Sequence, residues 1–261
     1  MSYAWAVILG VVQGLTEFLP VSSSGHLALV EHLGGGGIPE TIAFDLLLHL
    51  ATLMVVLLYF SRTLLRLWRN ERVVLLFVVI ASVPTGVIGL FCKDYFEALR
   101  FSPTMICIGL LVTASALSFA ELARGGNYKV RDLGVFGAFF IGLTQALALT
   151  PGISRSGSTI SAAMLCGVDK EDAFSFSFIL SVPAILGASF LQFLSLVRHG
   201  GLERLADELP LGPSIAGFAV SAITGYFALA LLKRLVVGGK LVWFAGYCCL
   251  VAIAGLIYFN L

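Results

Sequence analysis

The stretch QGLTEFLPVSSSGH, Gln13 to His26, decides how the rest of the chain is read. It begins inside an apolar run, carries a carboxylate at Glu17, breaks at Pro20, and closes on three serines and a histidine. Gln13 and Glu17 are four residues apart and share one face of a helix. With Thr16 they make a polar stripe on an otherwise apolar segment. The same plan returns later. GLTQALALTPGISRSG, Gly142 to Gly157, echoes GLTEFLPVSSSG, Gly14 to Gly25, and Ala173-Phe174 matches Ala43-Phe44. The offset is 128 residues at the first glycine (Gly14 to Gly142) and 132 at the last (Gly25 to Gly157), so the second loop is four residues longer.

The flanking chain is apolar. Of 261 residues, 59% are hydrophobic and 12% charged, more apolar surface than a soluble domain of this length hides. The expected class is an all-α integral membrane protein. A net charge of +1 offers nothing to a polyanion, so no nucleic-acid partner is expected. The N-terminus lacks a basic segment and runs into PVSSSGH, so it does not read as a cleavable signal. Cys92, Cys107, Cys166, Cys248 and Cys249 show no metal-ligand spacing and read as small hydrophobes.

A full span needs about 20 apolar residues to cross about 30 Å of hydrocarbon. Six runs qualify, roughly 42–60, 73–91, 102–122, 172–196, 212–236 and 241–259. Residues 4–19 and 133–149 are too short, each stopping at a proline and a Ser/Gly-rich stretch before a second apolar run, 27–33 and 159–168. Irregular backbone at membrane depth survives only where protein or water satisfies it. The expectation is six transmembrane helices plus two re-entrant helical hairpins.

Basic residues orient the chain. With the loop of Arg62, Arg66, Arg69 and Arg72 inside, Arg124, Lys129, Arg131, Lys170, Lys233, Arg234 and Lys240 also fall inside. Lys93, Arg100, Arg198 and Arg204 fall outside, and Arg155 stays within the second hairpin, which accounts for all 16. The excess of cytoplasmic charge favours this orientation, with both termini and the first hairpin's entrance outside. Each half, about 1–123 and about 131–261 of a single membrane domain, then holds one hairpin and three spans. An odd number of spans inverts the second half. Sites in such inverted repeats lie between the halves near midplane.

The matched positions differ where chemistry is concentrated. Glu17 faces Gln145, Gln13 faces Ile141, Ser23 faces Arg155, and His26 faces Ser158. One half brings the acid and imidazole, the other the guanidinium, as a single shared site requires. Ionisable groups inside a membrane are costly and are usually functional. In PVSSSGH, one of Ser22 and Ser24 suits a helix N-cap. PGISRSGST combines Gly152, which allows close backbone approach, with hydroxyls at Ser154, Ser156, Ser158 and Thr159 and a helix start able to hold an anion. Arg155 adds a two-pronged donor suited to phosphate oxygens. Asp45 and His49, four apart, either join this site or sit at the interface.

Both motifs resemble those of the undecaprenyl-diphosphatase family associated with bacitracin resistance: an E/Q, three residues and a Glu, then PVSS(S/T)GH, and later PGxSRSxxT. The resemblance covers the whole chain. It implies hydrolysis of undecaprenyl diphosphate to undecaprenyl phosphate and inorganic phosphate at the outer side of a bacterial inner membrane. That reaction recycles the lipid carrier for peptidoglycan synthesis. It also implies Mg2+ or Ca2+ and places the family residues on Glu17, Ser23, His26 and Arg155, with Gln13 in the E/Q position. Gln13 supplies no carboxylate, so Asp45 becomes a candidate metal ligand beside Glu17. In this reading Arg155 and the amides after it clamp the diphosphate, with Gln13, Ser22, Ser24, Gly152, Ser154, Ser156 and Thr159 around them. Ser23 attacks phosphorus with His26 as proton acceptor, or a water attacks directly. The alternative is a transporter of the polyprenyl phosphate carrier. The soluble-type acid phosphatase pattern, Ser-Arg, five residues and then His, fails, because Ser154-Arg155 is followed by SGSTI and then Ser161. The oligomeric state stays open, a homodimer included.

Overall fold

The computed structural model describes residues 1–33, 42–123 and 125–260. Arg124, one of the orienting charges, lies outside the described residues. Within the described residues the fold is helical: α1 (Tyr3–Phe18), α2 (Ser23–Leu33), α3 (Ile42–Tyr59), α4 (Ser61–Asn70), α5 (Arg72–Phe91), α6 (Lys93–Arg100), α7 (Pro103–Ala123), α8 (Gly134–Leu147), α9 (Arg155–Leu165), α10 (Lys170–Glu208), α11 (Leu211–Val237) and α12 (Leu241–Asn260). A short 3-10 turn, Val130–Asp132, precedes α8.

Among the described residues five helices are long and apolar enough to cross a membrane: α5, α7, the first 29 residues of α10, α11 and α12. The chain is a multi-pass membrane protein. The apolar run at 42–60 forms α3, and at its end, at Phe60, α3 and α4 meet at a 63° bend. The cause is legible in α4, whose sequence SRTLLRLWRN segregates Arg62, Arg66 and Arg69 from the buried Leu67. Such a helix is stable lying along an interface, not crossing one. Counting α3 with α4 as one span gives six.

Lipid tails are as apolar as leucine, so close packing must come from small residues. The chain uses glycine for this. A methyl group at Gly10 of α1 would sit 2.7 Å from the carbonyl oxygen of Gly217 on α11, and one at Gly14 would sit 2.5 Å from that of Ser221. The same device recurs between α8 and α5, where a methyl on Gly142 would sit 2.7 Å from Ala81 Cα. Gly14 and Gly142 are equivalent positions of the two related stretches. Each presses its helix onto a long apolar helix distant in sequence, α11 for Gly14 and α5 for Gly142. At one end of the bundle Arg66, Arg69 and Arg72 share a surface hollow of about 820 Å3 with Lys129 and Arg131.

Candidate active site

The first half of the site is built where α1 stops. Proline disfavours helix at the residue before it. Leu19 is accordingly extended (φ −62°, ψ 142°), and α1 ends at Phe18 with Glu17 in its last turn. The chain re-enters helix at Ser23 through Ser22, which adopts a left-handed φ of 70° that few non-glycine residues accept. Ser22 Oγ is held there, accepting the N–H groups of Gly25 (3.3 Å) and Gly152 (3.2 Å). The second half is built likewise. Gly152 turns at φ 91°, and Ser154 caps α9 by accepting the N–H of Gly157 at 3.1 Å. The two turns touch: a methyl on Gly25 would lie 3.0 Å from Gly152 Cα.

This crossing carries Arg155 to Glu17. Arg155 Nη2 donates to Glu17 Oε1 at 2.6 Å, and both side chains are largely buried. Glu17 Oε2 accepts from Ser23 Oγ at 2.7 Å and from Gln13 Nε2 at 3.2 Å. His49 Nε2 is 3.9 Å from the same oxygen, while its Nδ1 lies 3.3 Å from Asp45 Oδ1. Gln192 Nε2 completes that chain by donating to Asp45 Oδ2 at 3.3 Å. Arg155 Nη1 is buried and has no partner among the described residues. A buried guanidinium donor left unpaired is costly and calls for a ligand.

These groups surround a cavity of about 230 Å3 lined by Glu17, Ser22, Ser23, Ser24, His49, Ser154, Arg155 and Gln192, with apolar residues of α10 opposite. The first turns of α2 and α9 both border it. Helix N-termini present free N–H groups and a positive dipole end, so two converging on one cavity make an anion cradle.

Not every expected residue reaches it. His26 does not line the cavity. Its Nδ1 is 2.9 Å from the Ser22 carbonyl and its Nε2 2.8 Å from Tyr247 Oη, and its ring stacks on Tyr247. With both nitrogens engaged, His26 buttresses the left-handed turn, and His49 is the imidazole facing the cavity. Gly152 serves the crossing. Ser156 Oγ sits against Ser154 Oγ (3.3 Å), and Thr159 bonds Ser177 at 2.6 Å and the Arg155 carbonyl at 2.9 Å. These three shape the loop behind the cavity wall. Gln13 is fully buried behind Glu17. The contributions of Tyr247 and Gln192 had no signal in the sequence, being lone polar residues on distant apolar helices.

For a metal ion the donors are hard oxygens. Glu17 is the carboxylate on the cavity, and the buried Gln13 Oε1 has no partner among the described residues. Asp45 does not join Glu17, because His49 stands between them. No group of three or more His, Cys, Asp or Glu among the described residues could hold an ion unaided. One carboxylate completed by substrate phosphates is the usual arrangement for Mg2+, and the donors present fit that pattern.

Residues 6–254 match the family model described as bacitracin resistance protein BacA. The chain belongs to the BacA family. Among this family's members, it is 42% identical to an undecaprenyl-diphosphatase of Carboxydothermus hydrogenoformans, over 93% of this chain and 92% of that protein. It is 39% identical to one of Alkaliphilus metalliredigens (93% of each chain) and 35% identical to one of Methanosphaera stadtmanae (97% and 96%). Both polar stretches, Gln13 to His26 and Gly142 to Thr159, and the helices between them lie inside the matched region 6–254.

Proposed function

We propose that this chain hydrolyses undecaprenyl diphosphate to undecaprenyl phosphate and inorganic phosphate, the activity in its relatives' names. One observation carries the chemistry: Arg155 spends one nitrogen on Glu17 and leaves the other buried and unpartnered beside a serine already bonded to that glutamate. The relatives' names speak for hydrolysis and not for carriage.

The diphosphate sits across the N-termini of α2 and α9 with Arg155 Nη1 on a terminal phosphate oxygen. Ser23 Oγ attacks the terminal phosphorus while its proton passes to Glu17 Oε2. The bond from phosphorus to the bridging oxygen breaks, and its electrons leave on undecaprenyl phosphate. Water then splits the phosphoserine, and Glu17 returns the proton to Ser23 as inorganic phosphate departs. Phosphoryl transfer needs chiefly positioning and neutralised charge. His49, oriented by Asp45, adds a donor beside Glu17. Glu17 and Gln13 would hold Mg2+ or Ca2+ together with substrate oxygens, and the ion would supply further neutralisation of the diphosphate.

The finer architecture follows the same reading. α1–α2 and α8–α9 are re-entrant hairpins of an inverted repeat, a reading supported by the reciprocal packing of Gly14 and Gly142. The basic hollow of Arg66, Arg69, Arg72, Lys129 and Arg131 marks the cytoplasmic end, so the cavity opens to the outside of the bacterial plasma membrane. The deciding experiment is phosphate release from undecaprenyl diphosphate by the purified chain, with Mg2+, with Ca2+ and with chelator. Turnover that requires the ion and disappears in Ser23→Ala supports the scheme. Lipid binding without phosphate release under every condition refutes it.

A further inference from the structure

A second cavity, of about 540 Å3, adjoins the polar one and shares Leu149, Ala184, Ala188 and Gln192 with it. It runs between α5 and α10, and none of its lining residues is charged. At its mouth Leu90 and Phe190 are 63% and 64% exposed, which in a membrane chain means facing acyl chains.

Its glycines are the telling feature. Gly86 and Gly89 of α5 and Gly187 of α10 all line it. Glycine inside a helix costs roughly 0.5–1 kcal/mol relative to alanine, so its presence needs a reason. At Gly10 and Gly142 the reason is contact, since a methyl there would strike a neighbouring backbone. Here it is not. A methyl on Gly86 or Gly187 would meet nothing within 4 Å, and one on Gly89 only Leu149 Cδ1 at 3.4 Å. Three helical glycines line the same slot, two of them facing open space and the third meeting only the end of the Leu149 side chain. They keep its width.

The charge pattern agrees. Gln145 stands in the second stretch where Glu17 stands in the first, and it lines this slot, bonded through Nε2 to Thr85 at 3.0 Å. An amide in place of a carboxylate leaves the slot neutral. It offers nothing to hold a phosphate, and its walls suit hydrocarbon.

We propose that the slot between α5 and α10 holds the isoprenoid units next to the diphosphate, with Gly86, Gly89 and Gly187 setting the width that admits a branched chain. This rests on the polyprenyl-diphosphatase reading of the adjoining cavity. The shared wall of Leu149, Ala184 and Ala188 is where the headgroup ends and the chain begins. A chain entering here reaches the cradle from the lipid side, while the phosphate side stays polar.

The test uses the full chain in detergent and undecaprenyl diphosphate as substrate. Wild-type phosphate release decides the underlying reading before any variant is considered, and its absence overturns both. Gly187→Leu is expected to raise KM at least tenfold with kcat held within threefold, because blocking the slot removes binding energy common to ground and transition states. Gly187→Ala, which adds only a methyl, is expected to give a smaller rise and guards against misfolding of the larger variant. Inhibition by inorganic phosphate, a headgroup probe, stays unchanged in both. Gly246→Leu on α12, also open but away from the slot, leaves KM as in wild type. An unchanged KM in Gly187→Leu overturns the proposal and leaves the slot to bulk acyl chains. A loss of kcat at constant KM, or weakened phosphate inhibition, also overturns it by showing that α10 has shifted.

Discussion

Replacing Arg155 with lysine separates charge from geometry. The guanidinium does two things with two nitrogens: Nη2 binds Glu17 at 2.6 Å, and Nη1 is left for substrate. Lysine keeps the charge on a single nitrogen. Pairing with Glu17 then draws the ammonium away from the phosphate, and one charge-assisted hydrogen bond to substrate is lost. Such a bond contributes about 1.5–3 kcal/mol. At about 1.4 kcal/mol per decade, kcat/KM for undecaprenyl diphosphate falls roughly 10- to 150-fold. Alanine removes both bonds and strands Glu17 as a buried charge, which destabilises by roughly 3–5 kcal/mol. Arg155→Ala therefore loses more than about a thousandfold in kcat/KM, and its thermal midpoint drops as well. The Glu17→Gln/Arg155→Met double variant is equally inactive yet more stable than Arg155→Ala, since no charge is left unpaired. Phosphate release gives the rates, and thermal inactivation in detergent gives the stabilities. Arg155→Lys within threefold of wild type would refute the two-nitrogen argument. A double variant no more stable than Arg155→Ala would refute the stranded-charge argument.

His49→Gln, which keeps a donor near Glu17, is expected to retain at least a third of the wild-type kcat/KM. His49→Leu loses about 3- to 10-fold, the cost of one hydrogen bond to substrate, and equal losses would deny His49 that donor role. Gly14→Ala forces α1 off α11. Overpacking of this kind costs roughly 1–3 kcal/mol, and a thermal midpoint unchanged from wild type would contradict the packing. Asp169 caps α10 by accepting the Asp172 N–H at 3.0 Å and also binds Lys129. Asp169→Ala should cost about 0.5–2 kcal/mol with kcat unchanged. Burial, the largest single influence, raises the Asp169 carboxyl, but the hydrogen bond and charge of Lys129 together with the backbone N–H groups of Asp172 and Glu171 outweigh it and hold the group below the ordinary aspartate value. Its stabilisation is thus complete above that value and lost as pH falls through the lower folded one. Stability profiles of wild type and Asp169→Ala should run parallel at neutral pH and converge in acid.

Much of this was written in the chain. Pro20 and Pro151 marked where the short helices stop, and the duplication around Gly14 and Gly142 foretold that Glu17 and Arg155 would meet. Motif spacing reveals which residues lie on one loop, but not which way each points. Thus His26 and His49 exchanged places. The first belongs to the motif but turns to Tyr247, and the second, four residues from Asp45, swings into the cavity. The bend at Phe60 falls where the apolar run was read to end, but the helix that follows it, with Leu67 buried and Arg62, Arg66 and Arg69 on another face, was not foreseen as an element of its own. Gln192 and Tyr247 sit on helices whose composition is dictated by lipid, so nothing local distinguishes them.

The crossing of Gly25 on Gly152 has a consequence for how such a protein changes over time. Those two residues act as a spacer of fixed thickness between the halves, and the gap they set is the gap across which Arg155 meets Glu17. Bulk added on either side cannot be returned by trimming the other, because glycine has no side chain to trim. The two similar stretches are therefore free to differ almost everywhere, as Glu17 against Gln145 shows, except at the point where they lean on each other. Expressed as two separate polypeptides, they should find each other again only while both glycines remain.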